Sequence, residues 1–137
     1  MLPLITYDSN LNIEKLAKQV LKNEPKILKK YPNKSFNLKH DFDGGTGLGP
    51  NSLTSRSCHF NVLEWWGTGK LKKKIKEGYE EITQIKNSTI YVQCWANVMR
   101  KGEQIKPHVH CPPESYQQTV TGHLNVQVDG STCTYYN

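Results

Sequence analysis

Arginine is scarce in this sequence: only two of its 18 basic residues are Arg, at positions 56 and 100, and the rest are Lys. The residue best suited to reading bases and gripping phosphate in a fork is therefore nearly missing. No apolar run approaches the roughly 20 residues of a membrane span, so no membrane association is expected. The opening MLPLITYDSNLNIEK has no basic stretch and is interrupted by Asp8, so it does not read as a signal peptide. The default expectation is a cytoplasmic protein. Cys58, Cys94, Cys111 and Cys133 form no CxxC pair, which excludes a zinc ribbon and a thioredoxin-like motif. Without a secretory signal, reduced and partly buried thiols are expected. The glycine-rich stretch 40–57 lacks the Lys-Ser/Thr of a phosphate loop and reads as a long turn region.

The composition is that of a soluble globular chain. The 137 residues are 36% apolar, 22% charged and 9% aromatic, enough apolar bulk for one packed domain. The net charge of +6 permits an acidic partner without requiring one. The excess lies in two Lys blocks, 22–39 and 70–76, with few aromatics between them. Composition favours solvated helix faces, and a nucleic-acid partner is not expected from it.

Along the chain, 9–24 reads as a helix, with Ser9 and Asn10 as cap candidates and Leu11, Ile13, Leu16, Val20 and Leu21 near a 3.6 period. Pro25 and Pro32 are expected to interrupt the chain beyond it. The stretch 58–66 reads as a short buried strand or core-packed turn. A second helix is expected from about Thr68 to Ile85, with Leu71, Ile75, Tyr79 and Ile82 as its apolar stripe.

The period then drops to 2. From Thr89 to Met99, Ile90, Val92, Cys94, Ala96 and Val98 alternate with Tyr91, Gln93, Trp95, Asn97 and Met99, which predicts a strand. Gly102 marks a turn, the segment 104–110 comes next, and Pro112-Pro113 breaks the chain. Leu124, Val126 and Val128 alternate again, and Asp129-Gly130 predicts a hairpin returning through 131–136. Helices followed by antiparallel strands predict an α+β class: one domain over 1–137, helical over 1–88, with its strands in 89–137.

The stretch with chemical content is Lys106-Pro-His-Val-His110. In an extended chain His108 and His110 share a face, where two imidazoles can present nitrogens to one metal ion. Divalent iron, with facial ligands and open positions, accepts such a pair plus a third group. The other histidines, His40 and His59, read as structural, and Trp65, Trp66 and Trp95 as core or sheet anchors. His123 is expected to face away from the pair if Leu124, Val126 and Val128 face the core.

The run Trp95-Ala-Asn-Val-Met-Arg-Lys-Gly-Glu-Gln-Ile-Lys-Pro-His-Val-His110, with Thr121-Gly-His-Leu-Asn-Val126 after it, resembles the 2-oxoglutarate/Fe(II)-dependent oxygenases of marine bacteria and cyanophages. The likeness covers roughly 50–137, taking in Ser52–Arg56 and Asn61–Trp65. It implies a double-stranded β-helix, or jelly roll, preceded by helices, with Fe(II) and 2-oxoglutarate as cofactors. His108 matches the first iron ligand, and His110 stands where most of the superfamily places a carboxylate. The cupins, which share that barrel, offer a second comparison: Gly102, His108, His110 and Glu114 fit their first motif, which makes Glu114 a candidate third ligand. Both families take a further histidine from a downstream strand, and the oxygenases also a basic residue for 2-oxoglutarate. Neither comes after the 129–130 hairpin before Asn137. The expectations from the likeness are thus a hydroxylase-like oxygenase in its first barrel strands, weak turnover, an unidentified substrate, and homo-oligomers formed through exposed strand edges. The alternative is a non-catalytic jelly-roll or cupin-like accessory protein.

Overall fold

The computed structural model describes residues 10–31, 47–108, 110, 119–130 and 134. Its regular elements are α1 (Ile13–Lys30), two 3₁₀ turns (Thr54–Arg56 and Val62–Glu64) and α2 (Gly69–Thr83).

The first helix begins where the Asn12 side chain accepts the backbone N–H of Lys15 at 3.0 Å, satisfying one of the free donors of the first turn. Glu14 in the first turn and Lys29 and Lys30 in the last complement the helix dipole. The expected stop at Pro25 is corrected: α1 continues through it to Lys30. A proline inside a helix deletes one backbone bond and costs about 3 kcal/mol. Here its ring is on the solvent side, while Glu24 and Ile27 are buried and Tyr31 closes the end by donating to the Ile27 carbonyl at 2.9 Å. The packing of that last turn outweighs the lost bond.

The second helix keeps its expected stripe. Leu71 is buried, and Ile75, Tyr79 and Ile82 are half-buried. It ends at Gln84, whose left-handed φ of 59° stops the helix. Ahead of the second helix, residues 47–68 pack as turns. Leu53 is fully buried and meets Val20 and Ile27, with Tyr31, Phe60, Trp65, Ala96 and Val98 around them. Val62, Leu63 and Leu71 form a second cluster, joined by Leu16, Ile75, Val92, Cys94 and Leu124. Arg56 is buried beside the first cluster, with Nε donating to the Tyr31 carbonyl at 2.8 Å and Nη1 to the Ser55 hydroxyl. Burial lowers its pKa, though a guanidinium keeps its proton at any ordinary pH.

The jelly roll is not found. Among the described residues there is no β-strand, and the regular structure is all helical. The α+β class, the double-stranded β-helix and the 89–99 strand are all corrected by this finding. The alternation itself survives as a facing pattern: Ile90, Val92, Cys94, Ala96 and Val98 are half-buried, whereas Tyr91, Gln93, Asn97 and Met99 are exposed. Alternation decides which side chains go inward, but a strand also needs a neighbouring chain to complete its ladder. Here the extended segment lies across the turns instead. Val62 N–H donates to the Cys94 carbonyl at 2.7 Å, and Asn61 Nδ2 to the Val92 carbonyl at 2.8 Å. Gln93 Nε2 reaches back to the Ser57 and Phe60 carbonyls at 2.6 and 2.8 Å. Association through bare strand edges loses its basis, because no described residue forms such an edge. The 131–136 return strand lies mostly outside the described residues.

Candidate metal-binding site

The segment that carries the two imidazoles is fastened before it reaches them. Arg100 makes a two-pronged ion pair with Glu24 of α1, Nη1 and Nη2 each 2.7 Å from a carboxylate oxygen. The carboxylate is buried and the guanidinium largely exposed. The hydrogen bond to Glu24 is the main reason the Arg100 pKa is raised. A turn comes next, in which Glu103 N–H donates to the Arg100 carbonyl at 2.9 Å and Arg100 N–H to the Glu103 carboxylate at 2.7 Å. Gly102 supplies the positive φ, 87°, that this turn needs. Asn97, two residues before Met99, accepts from the Thr54 hydroxyl at 2.7 Å. Lys106 then packs along Gly47, where an added Cβ would come within 3.1 Å of its side chain.

Beyond Lys106 the chain brings the two rings together. The His108 and His110 centroids are 4.6 Å apart with their planes nearly perpendicular, and Trp95 stands 5.3 Å from His110. His108 Nδ1 lies 2.7 Å from the Lys106 carbonyl. A carbonyl only accepts, so Nδ1 carries the proton and Nε2 keeps the lone pair that a metal needs. Metal-bound histidines are commonly held in this way, with the second nitrogen tied to a carbonyl.

The pKa of His110 is lowered from its ordinary 6.5, first by desolvation, then by the charges of His108 and His123. The neutral ring, the form that binds metals, is favoured there. His123 is therefore close enough to His110 to be felt, even though Leu124 beside it packs inward on the second cluster as expected.

Two imidazoles fit a divalent transition metal by donor chemistry and by separation. With metal–nitrogen bonds of about 2.1 Å, two rings bound at right angles have centres about 4.6 Å apart. The pair is not a complete cage: among the described residues no group of three or more His, Cys, Asp or Glu side chains is placed to hold a metal. Glu114 lies outside the described residues. Cys94 packs inward on the second cluster, where burial pushes its thiol up.

The other expected anchors divide. Trp65 stacks on Phe60 at 6.1 Å, and His59 on Tyr31 at 4.9 Å. Trp66 is corrected from a core anchor to a surface residue, 80% exposed. Sequence reasoning did not find Trp95 as a wall of the imidazole pair, nor the Lys106 carbonyl as its orienting group. The period-2 pattern held the first signal, since Trp95 falls on the face opposite the core.

Among the described residues no helix is long and apolar enough to cross a membrane. Neither family models nor curated proteins nor solved structures give a match to this chain.

Proposed function

We propose that the chain binds a divalent transition metal, iron(II) by preference, through His108 and His110, and that it works as a non-haem iron, 2-oxoglutarate-dependent oxygenase. The observation that carries this reading is the imidazole pair, 4.6 Å apart, with the His108 tautomer set by the Lys106 carbonyl. The likeness of the 95–126 run to such oxygenases supplies the iron and the 2-oxoglutarate. The reading needs no barrel: a site of this kind requires oriented ligands and open positions.

The protein's own part is orientation. His108 presents Nε2 because its other nitrogen is occupied, and the neutral form of His110 is favoured because its partial desolvation, and then its neighbours, oppose a charge. Trp95 covers one side of His110 and limits water there. The Arg100–Glu24 clamp and the Gly102 turn fix where the His108 segment leaves the core. Held by His108 and His110, iron would supply redox chemistry toward dioxygen.

The test is a titration of the chelator-treated protein with Fe(II) under nitrogen, or with Co(II) as an optical stand-in, followed by succinate assay in air with 2-oxoglutarate. One equivalent per chain is expected. His108→Ala and His110→Ala should each weaken binding by at least about tenfold and abolish any succinate formed. Binding unchanged in the double variant overturns the metal site. Metal binding without succinate overturns the oxygenase reading and leaves a metal-binding protein.

A further inference from the structure

Six of the lysines take on a different meaning once they are placed on α1. Lys15, Lys18, Lys22, Lys26 and Lys29 recur at spacings of three and four, and all five are exposed. At 3.6 residues per turn they and Lys30 fall within an arc of about 120°. The row from Lys15 to Lys29 is about 21 Å long at 1.5 Å per residue. No acid falls within the arc: Glu24 faces the opposite way, into the core, and Glu14 lies about 40° beyond its edge, one turn before Lys18.

The contrast with α2 is direct. There Lys73 and Lys74 pair with Glu77, and Lys76 with Glu80, at 3.2 to 3.9 Å. No ion pair among the described residues includes an α1 lysine.

An aromatic ring marks one end of the row. Trp66 is 80% exposed, and the Lys15 ammonium sits 4.3 Å from its ring centre, leaving the other face of the indole open. Gln19 Nε2 holds the Trp66 carbonyl at 2.8 Å, which fixes the loop that carries the ring. Beside it, between the first turns of the two helices, is a cleft of about 260 Å³ with a floor of Leu11, Leu16 and Leu71 and with Lys15 and Lys70 at its rim.

We propose that this face of α1, ending at Trp66, binds single-stranded nucleic acid without sequence preference. A row of cations tracks a phosphate backbone, and an exposed indole stacks an unpaired base. Lysine suits the first task because it is a point charge that tolerates any strand geometry. A duplex keeps its bases stacked on one another and leaves Trp66 without a use. A membrane surface is a poorer fit because the apolar face of α1, with Ala17, Val20 and Ile27, is already spent in the core. An acidic peptide answers the charge but has no flat ring to lay on the indole.

The experiment is fluorescence anisotropy of the full chain with a labelled thymidine oligonucleotide across a range of salt. The logarithm of the association constant should fall with the logarithm of salt at a slope of about −3.5, as expected for five phosphates on a single strand. Replacing Lys18, Lys22 and Lys26 together by Gln should weaken binding at low salt at least about tenfold and flatten that slope by about 2. Trp66→Ala should cost about tenfold with the slope unchanged, and Trp66→Phe should recover most of it. All these positions are exposed, so an unchanged thermal melt certifies the fold of each variant. His108→Ala should bind the strand normally, which separates this face from the imidazole pair. Affinity unchanged by either the Gln triple or Trp66→Ala overturns the proposal. So does equal or tighter binding to the matching duplex, to polyglutamate, or to phosphatidylcholine vesicles containing phosphatidylserine.

Discussion

Residues 10–83 and residues 84–130 solve the same problem differently. Both must bury apolar side chains while giving every buried backbone group a partner. The first region does so locally. Its two helices and two 3₁₀ turns close their own bonds over three or four residues, and side chains such as Asn12 and Thr68 finish the ends. The second region has just as regular an apolar pattern, and it closes a backbone turn of its own at Arg100–Glu103. Its extended stretch borrows partners from the turns: the Val92 and Cys94 carbonyls accept from Asn61 Nδ2 and Val62 N–H, and the Gln93 side chain donates to the Ser57 and Phe60 carbonyls. Helical order is thus intrinsic to a segment, while extended order belongs to a pair of segments. The candidate metal site lies at the far end of the borrowed region.

Removing the surface both regions share should have the largest effect. Leu53 is fully buried and meets Val20 and Ile27 below and Ala96 and Val98 above. Leu53→Ala is expected to cost about 2–5 kcal/mol through lost burial and the cavity left behind. Urea unfolding should show one transition moved to a lower midpoint, with helical and near-ultraviolet signals lost together. If the helical signal keeps its midpoint, the two regions are not joined through Leu53.

The next largest effect should separate the regions. Arg100→Ala leaves the Glu24 carboxylate buried without its counter-charge, while Arg100 itself is mostly in water. Losing the partner of a fully buried charge costs about 3–5 kcal/mol; with the Arg100 partner of this pair solvated, about 1–2 kcal/mol is expected. Arg100→Lys should recover only part, because an ammonium cannot make the two parallel bonds. Hydrogen exchange is the measurement that decides. Amides of 92–106 should exchange faster, and those of α1 should keep most of their protection. Uniform loss of protection would mean that the clamp stabilises the whole core and does not act as the fastening of the second region.

Much of the molecule is legible in its residues, and the limits have physical causes. The apolar stripe of α2 is readable from Leu71, Ile75, Tyr79 and Ile82, because a 3.6 period needs nothing outside the helix to act. The inward set Ile90 to Val98 is readable from the 2 period for the same reason. The company those residues keep is not. The alternation points to a strand and the family likeness to a jelly roll, yet nothing in the 89–99 run says what lies beside it. Pro25 misleads through its local cost, which the burial of Glu24 and Ile27 outweighs. The Glu24–Arg100 pair spans 76 positions and leaves no trace in either local pattern. At the candidate site, spacing is enough to find His108 and His110. It cannot find Trp95 or the Lys106 carbonyl, since one is reached across the chain and the other is backbone.

The smallest expected effect is on the charge of His110, and it tests whether the end of the borrowed region is ordered at all. In the metal-free protein the fold lowers its pKa from 6.5, with desolvation the leading cause and the charges of His108 and His123 behind it. Between that lowered value and 6.5 the unfolded chain binds more proton than the folded one. Stability contributed by this group therefore rises with pH through that window, and it is lost as pH falls through the folded value. The residue is largely exposed, so the effect on unfolding midpoints should be slight, and proton NMR of the ring Cε1–H in chelator is the better measurement. The His110 midpoint should lie below 6.5. In His108→Gln it should move up but stay below 6.5, because one neighbouring charge has gone while the desolvation remains. A midpoint at 6.5 in both proteins would mean that the segment after Lys106 samples water freely. The 4.6 Å approach of the two rings would then not be a standing feature on which a metal site could be built.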